Sequence, residues 1–284
     1  MTQARWTPGG WSAGGHPLAV ITGASSGIGA EYALQLARLG MGLILVARRR
    51  DRLLDLGERL ATTYGVPVEI DVCDLTDRPA LEALAVRLAA RSDIDLLVSN
   101  AGIGLVGRFV ASDPARLTAQ LDLHVIASTR LTRAVLPQMA ARQRGAVVQV
   151  SSVAGVFPRL SSPTYGSSKA YLIGLSESLL EEMVGSGICF QALCPGFTRT
   201  EFHSTPGFEG IDFRAAIPEF LWLSVEEVVR ESLAGLAEGK RRVIPGRRYR
   251  CLTFLGGNEF SQAIASRWRA ARRRRRVHHT GAAR

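Results

Sequence analysis

Short apolar segments rich in β-branched residues alternate with longer segments of helical pattern along the chain from residue 17 onward. This alternation is typical of βαβ units, whose parallel strands form one sheet with helices on both faces. The apolar runs are nearly continuous, as expected for strands buried on both faces. The sequence therefore predicts an α/β fold with a doubly wound parallel sheet of about seven strands. The predicted strands are Leu18–Thr22, Gly42–Ala47, Val68–Val72, Leu96–Ser99, Ala146–Ser151, Ile188–Leu193 and Arg242–Ile244.

Glycine residues and one capping sequence mark the ends of helices between these strands. Gly40 follows a helix predicted over Gly27–Leu39, and Gly185 follows another predicted over Tyr165–Met183. Glycine is common just beyond a helix because it adopts the left-handed backbone conformation at little cost. Ser224, followed three residues later by a glutamate, has the spacing of a capping box and predicts the start of the helix before the last strand.

The length of 284 residues, with 46% apolar and 21% charged residues, suits one globular domain with a substantial core. We expect this domain at residues 17–266, with a flexible extension at 1–16 and a basic tail at 267–284. No apolar stretch reaches the ~18 residues of a membrane-spanning helix, and the first seventeen residues lack the apolar block of a signal peptide. A cytoplasmic protein is therefore expected.

The formal net charge of +10 is concentrated at the end of the chain. Residues 240–284 hold 14 of the 35 basic residues and one of the 25 acidic residues, so the rest of the chain has 21 basic and 24 acidic residues. The body of the protein therefore gives no electrostatic reason to bind nucleic acid. A basic amphipathic helix in the tail, followed by five arginines, leaves peripheral contact with anionic lipid or nucleic acid as an alternative to a solvated tail or a subunit contact.

The four cysteines have neither the C-x-x-C spacing nor the neighbouring histidines of a zinc site, so no metal is predicted. Cys73, Cys189 and Cys194 lie in or beside apolar strands, where cysteine usually acts as a small buried hydrophobic residue.

A glycine-rich segment connects the first strand to the first helix. Its glycines allow a sharp turn and a close approach of the backbone to a pyrophosphate, which the N–H groups and the dipole at the start of the helix would hold. A glycine triplet alone is weak evidence, but a strand before it and a helix after it favour a Rossmann-type dinucleotide site. The candidate binding residues are Gly23, Ser25, Ser26, Gly27, Ile28 and Gly29.

The T-G-x-x-x-G-x-G spacing of this segment resembles the cofactor loop of the short-chain dehydrogenase/reductase family. Four further motifs follow in the family's order over about residues 17–245. They are Asn100-Ala-Gly102 after the fourth strand, Ser152 after the fifth, Tyr165-x-x-x-Lys169 thirteen residues later, and Cys194-Pro195-Gly196-Phe-Thr198-Arg-Thr200 after the sixth. The resemblance implies an NAD(P)-dependent oxidoreductase that interconverts a carbonyl and an alcohol.

The end of the second strand indicates which nicotinamide cofactor is used. A carboxylate at this position favours NAD(H), whereas an arginine accommodates the 2′-phosphate of NADP(H). Three arginines precede Asp51 here, and Arg48 is our candidate for the phosphate contact. The alternative is that these arginines only solvate a loop and open the next helix. The family resemblance implies further cofactor contacts at Asp74, Asn100, Gly102, Pro195, Gly196, Thr198 and Thr200.

The Tyr165 and Lys169 side chains share one face of a predicted helix, one turn apart. A neighbouring ammonium favours the phenolate, so we expect Lys169 to lower the pKa of Tyr165 towards working pH and to make it a general acid and base. The resemblance implies that Lys169 also holds the nicotinamide ribose and that Ser152 binds the substrate oxygen. His124 aligns with an asparagine that many family members place in a water relay, and it reads equally well as a buried structural histidine.

Residues 200–223 show no strand pattern and contain many aromatic side chains. In the resembling family this region covers the substrate, which predicts a small-molecule, mostly apolar carbonyl or alcohol substrate, with a lid packed on the protein's own core as the alternative. The family resemblance also suggests a homodimer or homotetramer. A second functional hypothesis is a catalytically weak NADPH-binding regulatory or scaffold protein.

Overall fold

The computed structural model describes residues 3–7, 17–105, 107–157, 162–205, 207–208 and 212–255. Seven strands in this part of the chain form one parallel sheet, in the order β3-β2-β1-β4-β5-β6-β7. The strands are β1 Leu18–Thr22, β2 Gly42–Ala47, β3 Val68–Val72, β4 Ile94–Ser99, β5 Gly145–Val150, β6 Ile188–Leu193 and β7 Arg242–Val243. The predicted α/β, Rossmann-type doubly wound sheet is confirmed.

Ten α-helices lie within the described ranges. They are α1 Gly27–Arg38, α2 Arg50–Tyr64, α3 Arg78–Ala89, α4 Pro114–Leu121, α5 Ser128–Ala141, α6 Val153–Val156, α7 Pro163–Glu182, α8 Phe213–Ala216, α9 Val225–Ala237 and α10 Arg247–Leu255. Buried side chains of α1, α2 and α9 pack on one face of the sheet, and those of α3, α5 and α7 pack on the other. No helix in the described part of the chain is long and apolar enough to cross a membrane.

The boundaries of several elements differ by one or two residues from the predicted ones. Strand β4 begins two residues earlier, at Ile94, and β5 begins and ends one residue earlier than predicted. Helix α7 begins at Pro163 because proline is well accommodated in the first turn of a helix, where its missing N–H has no intrahelical partner. The predicted cap of α9 is confirmed, since Ser224 Oγ accepts a hydrogen bond from the Glu227 N–H at 3.2 Å.

One feature of the helices has no counterpart in the sequence pattern. Residues Asp122–Ala127 form a turn of π-helix that joins α4 to α5. Such single turns are rare and are often found at functional sites. Arg78 on α3 forms an ion pair with Asp122 at the start of this turn, at 2.5 Å, so this carboxylate is held from outside the helix.

The start of the chain differs from the flexible extension expected at residues 1–16. The Trp6 side chain is only 4% exposed within the core that includes α1 and α9, and the backbone N–H of Trp6 donates to Leu236 O at 3.4 Å. A large buried aromatic ring outweighs the irregular local sequence, so residues 3–7 belong to the folded body. Residues 8–16, the basic tail 267–284 and most of the predicted amphipathic helix lie outside the described residues. Cys73, Cys189 and Cys194 are buried as predicted, and Cys251 is exposed.

Candidate active site

A cavity of about 1110 Å³ opens at the carboxyl ends of the strands, beside the point where the strand order reverses between β1 and β4. This is where open α/β sheets bind their ligands. Most of the predicted site residues line the cavity, and only Gly29 and His124 do not. The predicted residues in its wall are Gly23, Ser25, Ser26, Gly27, Ile28, Arg48, Asp74, Asn100, Gly102, Ser152, Tyr165, Lys169, Pro195, Gly196, Thr198 and Thr200.

Gly29 lies beneath the glycine loop, in close contact with the turn at Gly23. A Cβ at Gly29 would lie 2.4 Å from Gly23 O and 2.6 Å from Asn100 Nδ2, distances that real side chains do not tolerate. Asn100 Nδ2 in turn donates to Thr22 O at 2.8 Å, and Gly23 has a positive φ of 66°. The first helix therefore packs directly on a turn that only glycine allows, and the turn is fixed from below by the Asn100 amide.

The arginines at the end of β2 have different partners. Arg48 is largely exposed and lies 3.6 Å from Asp74, measured from Nη1 to Oδ2. Arg49, which the sequence analysis did not single out, turns towards the glycine loop: its Nε and Nη2 donate to Ser25 Oγ at 3.0 and 2.8 Å, and Nη2 also donates to Ser26 Oγ at 2.7 Å. The run of three arginines was the available signal, but the sequence gives no rule for which guanidinium faces the loop.

Asp74 is fixed in an acceptor orientation at the end of β3. Its Oδ1 accepts hydrogen bonds from the N–H and the hydroxyl of Thr76, at 2.9 and 2.7 Å. Partial burial raises the pKa of the Asp74 carboxyl, but the hydrogen bonds from Thr76 and the nearby Arg48 outweigh it, so that the pKa lies below its usual value. The carboxylate is therefore charged at neutral pH.

Ser152, Tyr165 and Lys169 meet at the inner wall of the cavity. Ser152 follows β5 and its Oγ accepts a hydrogen bond from Ala154 N at 3.1 Å, while its side chain is also hydrogen-bonded to the Tyr165 phenol. Lys169 is 4% exposed, and its Nζ donates to Val150 O at 2.8 Å. The ammonium lies 5.9 Å from the centre of the Tyr165 ring.

The protonation equilibria of this group differ from the expected ones. Burial raises the pKa of Tyr165 to about 12, and the hydrogen bond with Ser152 only partly opposes this rise. Burial also lowers the pKa of Lys169 to about 8. The expected lowering of the phenol pKa is therefore wrong for this arrangement, because desolvation of the Tyr165 phenol dominates its pKa.

His124 lies in the π-helical turn, fully buried behind the cavity wall. Its Nε2 accepts a hydrogen bond from Ile103 N at 3.0 Å, and its Nδ1 lies 2.8 Å from Ser168 Oγ. Burial, and secondarily the charge of Lys169, hold the pKa of His124 well below its usual range. Both nitrogens of this imidazole have partners and His124 is not among the residues that line the cavity, which favours the structural interpretation.

An aromatic cluster built largely from the predicted lid lies along the cavity, and all of its members except Trp222 line the cavity. Phe202 contacts both Tyr165 and Phe208, with ring centroids 6.3 and 5.2 Å apart. His203 lies within the same cluster, 5.3 Å from Trp222, and burial lowers its pKa to about 4. The cluster comprises Phe197, Phe202, His203, Phe208, Phe213 and Trp222. The described part of the lid therefore gives the cavity an aromatic side.

No group of three or more histidine, cysteine or acidic side chains suited to a metal ion occurs within the described ranges.

The sequence also matches a known protein family. A family model described as short chain dehydrogenase matches residues 17–206. The chain belongs to the short-chain dehydrogenase family. The resemblance inferred from its five motifs is thereby confirmed.

Two solved structures that cover nearly the whole chain and one sequence relative support this assignment. A short-chain dehydrogenase from Sphingobium yanoikuyae, solved in complex with NADPH, is 36% identical with a TM-score of 0.76, over 93% of this chain and 95% of that one. The bulky-bulky ketone specific alcohol dehydrogenase from Comamonas testosteroni is 31% identical with a TM-score of 0.73, over 94% and 95% of the two chains. An uncharacterized oxidoreductase from Myxococcus xanthus is 37% identical over 194 residues, or 68% of this chain and 76% of that protein.

The cavity of this short-chain dehydrogenase also depends on a residue beyond the range that the family model matches. Tyr249 on α10 lines the cavity and is 6% exposed. Its hydroxyl donates to Leu221 O at 2.8 Å and accepts a hydrogen bond from Phe197 N at 2.9 Å. One phenol therefore joins the segment after β6 to the end of the lid. No motif surrounds Tyr249, so the sequence pattern alone does not identify it.

Proposed function

We propose that this protein is an NADP(H)-dependent oxidoreductase that interconverts a bulky, mostly apolar ketone or aldehyde and the corresponding alcohol. One observation carries the proposal: Ser152, Tyr165 and Lys169 line the same cavity as the glycine loop and the arginines that follow β2. A proton-transfer group and a dinucleotide site on one cavity are what carbonyl reduction by hydride transfer requires. A regulatory or scaffold protein would have no need for all three polar groups.

The residues at the strand ends fit a nicotinamide dinucleotide. The glycine loop has no space for a Cβ at Gly29, and the hydroxyls of Ser25 and Ser26 face the Arg49 guanidinium, which matches phosphate oxygens in bidentate geometry. The cavity exceeds the roughly 300–1,000 Å³ of an ordinary ligand pocket, as a site for cofactor and substrate together should. We propose that Arg48 and Arg49 with Ser25 hold the 2′-phosphate, and the NADPH complex of the Sphingobium relative supports this preference.

Asp74, Asn100, Gly102, Pro195, Gly196, Thr198 and Thr200 complete the proposed cofactor contacts, as does Lys169 at the ribose. When bound, the nicotinamide supplies or accepts the hydride at the carbonyl carbon. Every other role in the reaction falls to side chains of the cavity wall.

The Tyr165 phenol is the proposed proton donor in the direction of reduction. Its pKa of about 12 keeps it protonated at neutral pH, so that it can give a proton to the carbonyl oxygen as negative charge develops there. In this proposal Ser152, which is hydrogen-bonded to the phenol, donates to the same oxygen. The Lys169 ammonium stabilises the phenolate that remains after transfer. In this proposal His124 supports the fold of the site and does not transfer protons.

The aromatic cluster of the lid supports a bulky apolar substrate. Phe202 lies against the Tyr165 ring, so a substrate that reaches the phenol also meets this aromatic surface. The substrate class named for the Comamonas relative, bulky ketones, is of the same kind. We further propose, from family resemblance, that the protein forms a homodimer or homotetramer, and we keep a cytoplasmic location as a separate proposal.

The test is to measure NADPH consumption with ketones and aldehydes graded from small aliphatic to diaryl compounds, alongside NADPH binding without substrate. We expect turnover that increases with the apolar bulk of the ketone. Binding without turnover of any compound in the panel would instead favour the regulatory or scaffold function. Replacing Arg48 or Arg49 with Asp should weaken binding of NADPH much more than that of NADH, and equal losses would contradict the NADP(H) preference.

A further inference from the structure

Glu201, the first residue of the 3₁₀ turn Glu201–Ser204, reaches the arginines that follow β2. Its two carboxylate oxygens accept from different guanidinium groups: Oε1 from Arg49, and Oε2 from Arg52 at 2.7 Å. Burial raises the pKa of Glu201, but the hydrogen bonds from Arg52, Arg49 and Ser26 outweigh it and lower the pKa to about 2. A fixed negative charge therefore lies at the rim of the cavity.

The guanidinium of Arg49 is shared between this carboxylate and the glycine loop. One side donates to the hydroxyls of Ser25 and Ser26, and Nη1 donates to Glu201. An arginine carries five N–H donors in a rigid fork, and this fork is the usual partner of both carboxylates and phosphates. Glu201 thus occupies a donor that a phosphate on the same loop would also use.

The charges along this rim explain why the Glu201 carboxylate and a bound phosphate compete for Arg49. The cavity wall contains Arg48, Arg49, Asp74 and Glu201, and Arg52 lies directly behind Glu201. A phosphate that joined Arg49 would meet the Glu201 charge at close range, where like charges repel appreciably even at the rim of a protein. The Glu201 side chain is 36% exposed, so water is at hand to solvate the carboxylate once it leaves Arg49.

We infer that the Glu201 carboxylate competes with a bound 2′-phosphate for the Arg49 guanidinium. The 2′-phosphate must displace Glu201 from Arg49, and Glu201 therefore sets the affinity for NADP(H) relative to NAD(H). The inference rests on the proposed function and deepens it, because it names a residue outside the glycine loop and strand β2 as a determinant of cofactor choice. NADH has no 2′-phosphate and leaves the pairing of Glu201 with Arg49 in place.

Displacement of Glu201 from Arg49 should also affect the turn of the lid that carries Phe202. The next residue, Phe202, packs on the Tyr165 ring, and its N–H donates to Thr200 Oγ1 at 3.2 Å. Loss of the ion pair removes an anchor from the turn that carries this phenylalanine. NADPH should therefore loosen residues 201–205, whereas NADH should leave them as they are.

The experiment measures dissociation constants of NADPH and NADH for the full chain and for Glu201→Gln, which keeps the shape and removes the charge. Glu58→Gln, an exposed change on α2 with the same effect on net charge, is the matched control. We expect Glu201→Gln to lower the NADPH dissociation constant by about tenfold at low salt and to change the NADH dissociation constant by less than about twofold. Much of the effect on NADPH binding should disappear at high salt. Glu58→Gln should leave both constants nearly unchanged.

Hydrogen exchange gives a second measurement that does not depend on turnover. Amides of residues 201–205 should exchange faster in the wild-type protein with NADPH than with NADH. Weaker NADPH binding by Glu201→Gln, equal changes for both cofactors, or equal exchange with the two cofactors would overturn the inference.

The Arg49→Ala variant separates this inference from the proposed function. If this variant loses the preference for NADPH while Glu201→Gln gains none, the 2′-phosphate site stands and only the role of Glu201 fails. If wild-type protein binds NADH as tightly as NADPH and Arg49→Ala alters neither, the proposed cofactor preference itself fails.

Discussion

His124 Nδ1 lies 2.8 Å from Ser168 Oγ, and this contact fixes the tautomer of a fully buried imidazole. Ser168 Oγ donates its own hydrogen to Tyr165 O at 2.9 Å, and so it accepts from Nδ1. The other nitrogen, Nε2, then accepts from the N–H of Ile103. The ring thus bridges the segment after β4 and the helix that carries Tyr165.

We expect the His124→Asn variant to lower the free energy of unfolding by about 1–3 kcal/mol, because the shorter amide cannot span both partners and leaves one buried group unpaired. Chemical denaturation measures this change. The NADPH dissociation constant should change little, since His124 does not line the cavity. A variant of wild-type stability with faster turnover would instead identify His124 as a stand-in for the family's water-relay asparagine.

Replacing Tyr165 with Phe removes one oxygen and should lower single-turnover reduction by ~10²–10⁴, the usual contribution of a positioned acid. NADPH affinity should stay nearly unchanged, because the aromatic ring remains. Tyr171→Phe, an exposed tyrosine of the same helix whose hydroxyl contacts Thr129, is the control and should keep full activity. Near-normal turnover by Tyr165→Phe would remove the proposed proton donor.

The pH dependence of reduction should follow Lys169. Burial gives this lysine a pKa of about 8, so its ammonium is present below that pH and is lost above it. The phenol stays protonated throughout this range, because its pKa is about 12. Single-turnover reduction should therefore be constant below pH 8 and fall by about tenfold for each pH unit above it. A rate that stays constant up to about pH 10, the ordinary pKa of lysine, would show that the ammonium charge is not needed.

The fold and the cavity wall were predictable because their determinants are local. Mostly apolar runs predicted β1, β2 and β6 with their observed bounds, and the alternating apolar and acidic residues of Val68–Val72 predicted β3. The glycine loop and the Tyr165-x-x-x-Lys169 spacing are also local patterns that the sheet topology brings to one edge. The element boundaries that differ from the predicted ones depend on pairing with a neighbouring strand or on proline in the first turn of a helix. The periodicity of apolar residues in the sequence reports neither of these effects.

What the sequence did not reveal depends on contacts between distant segments. Arg48 and Arg49 are adjacent, yet only the three-dimensional position of Ser25 decides that Arg49 faces the loop. The high pKa of Tyr165 is a consequence of burial, which spacing on a helix does not give. Trp6 and Tyr249 lie in segments without a motif, and each is identified only by the core or the backbone groups that it meets.

Tyr249 provides the last prediction, because a single hydroxyl serves two segments of the cavity wall. Tyr249→Phe would leave the Phe197 N–H and the Leu221 C=O without this partner, which should cost about 1–3 kcal/mol of unfolding free energy. We also expect a higher KM for bulky ketones with little change in the NADPH dissociation constant, since the lid end loses its anchor while the glycine loop is untouched. Tyr64→Phe, on α2 away from the cavity, is the control. Unchanged stability together with an unchanged KM would show that α10 does not support the lid through this phenol.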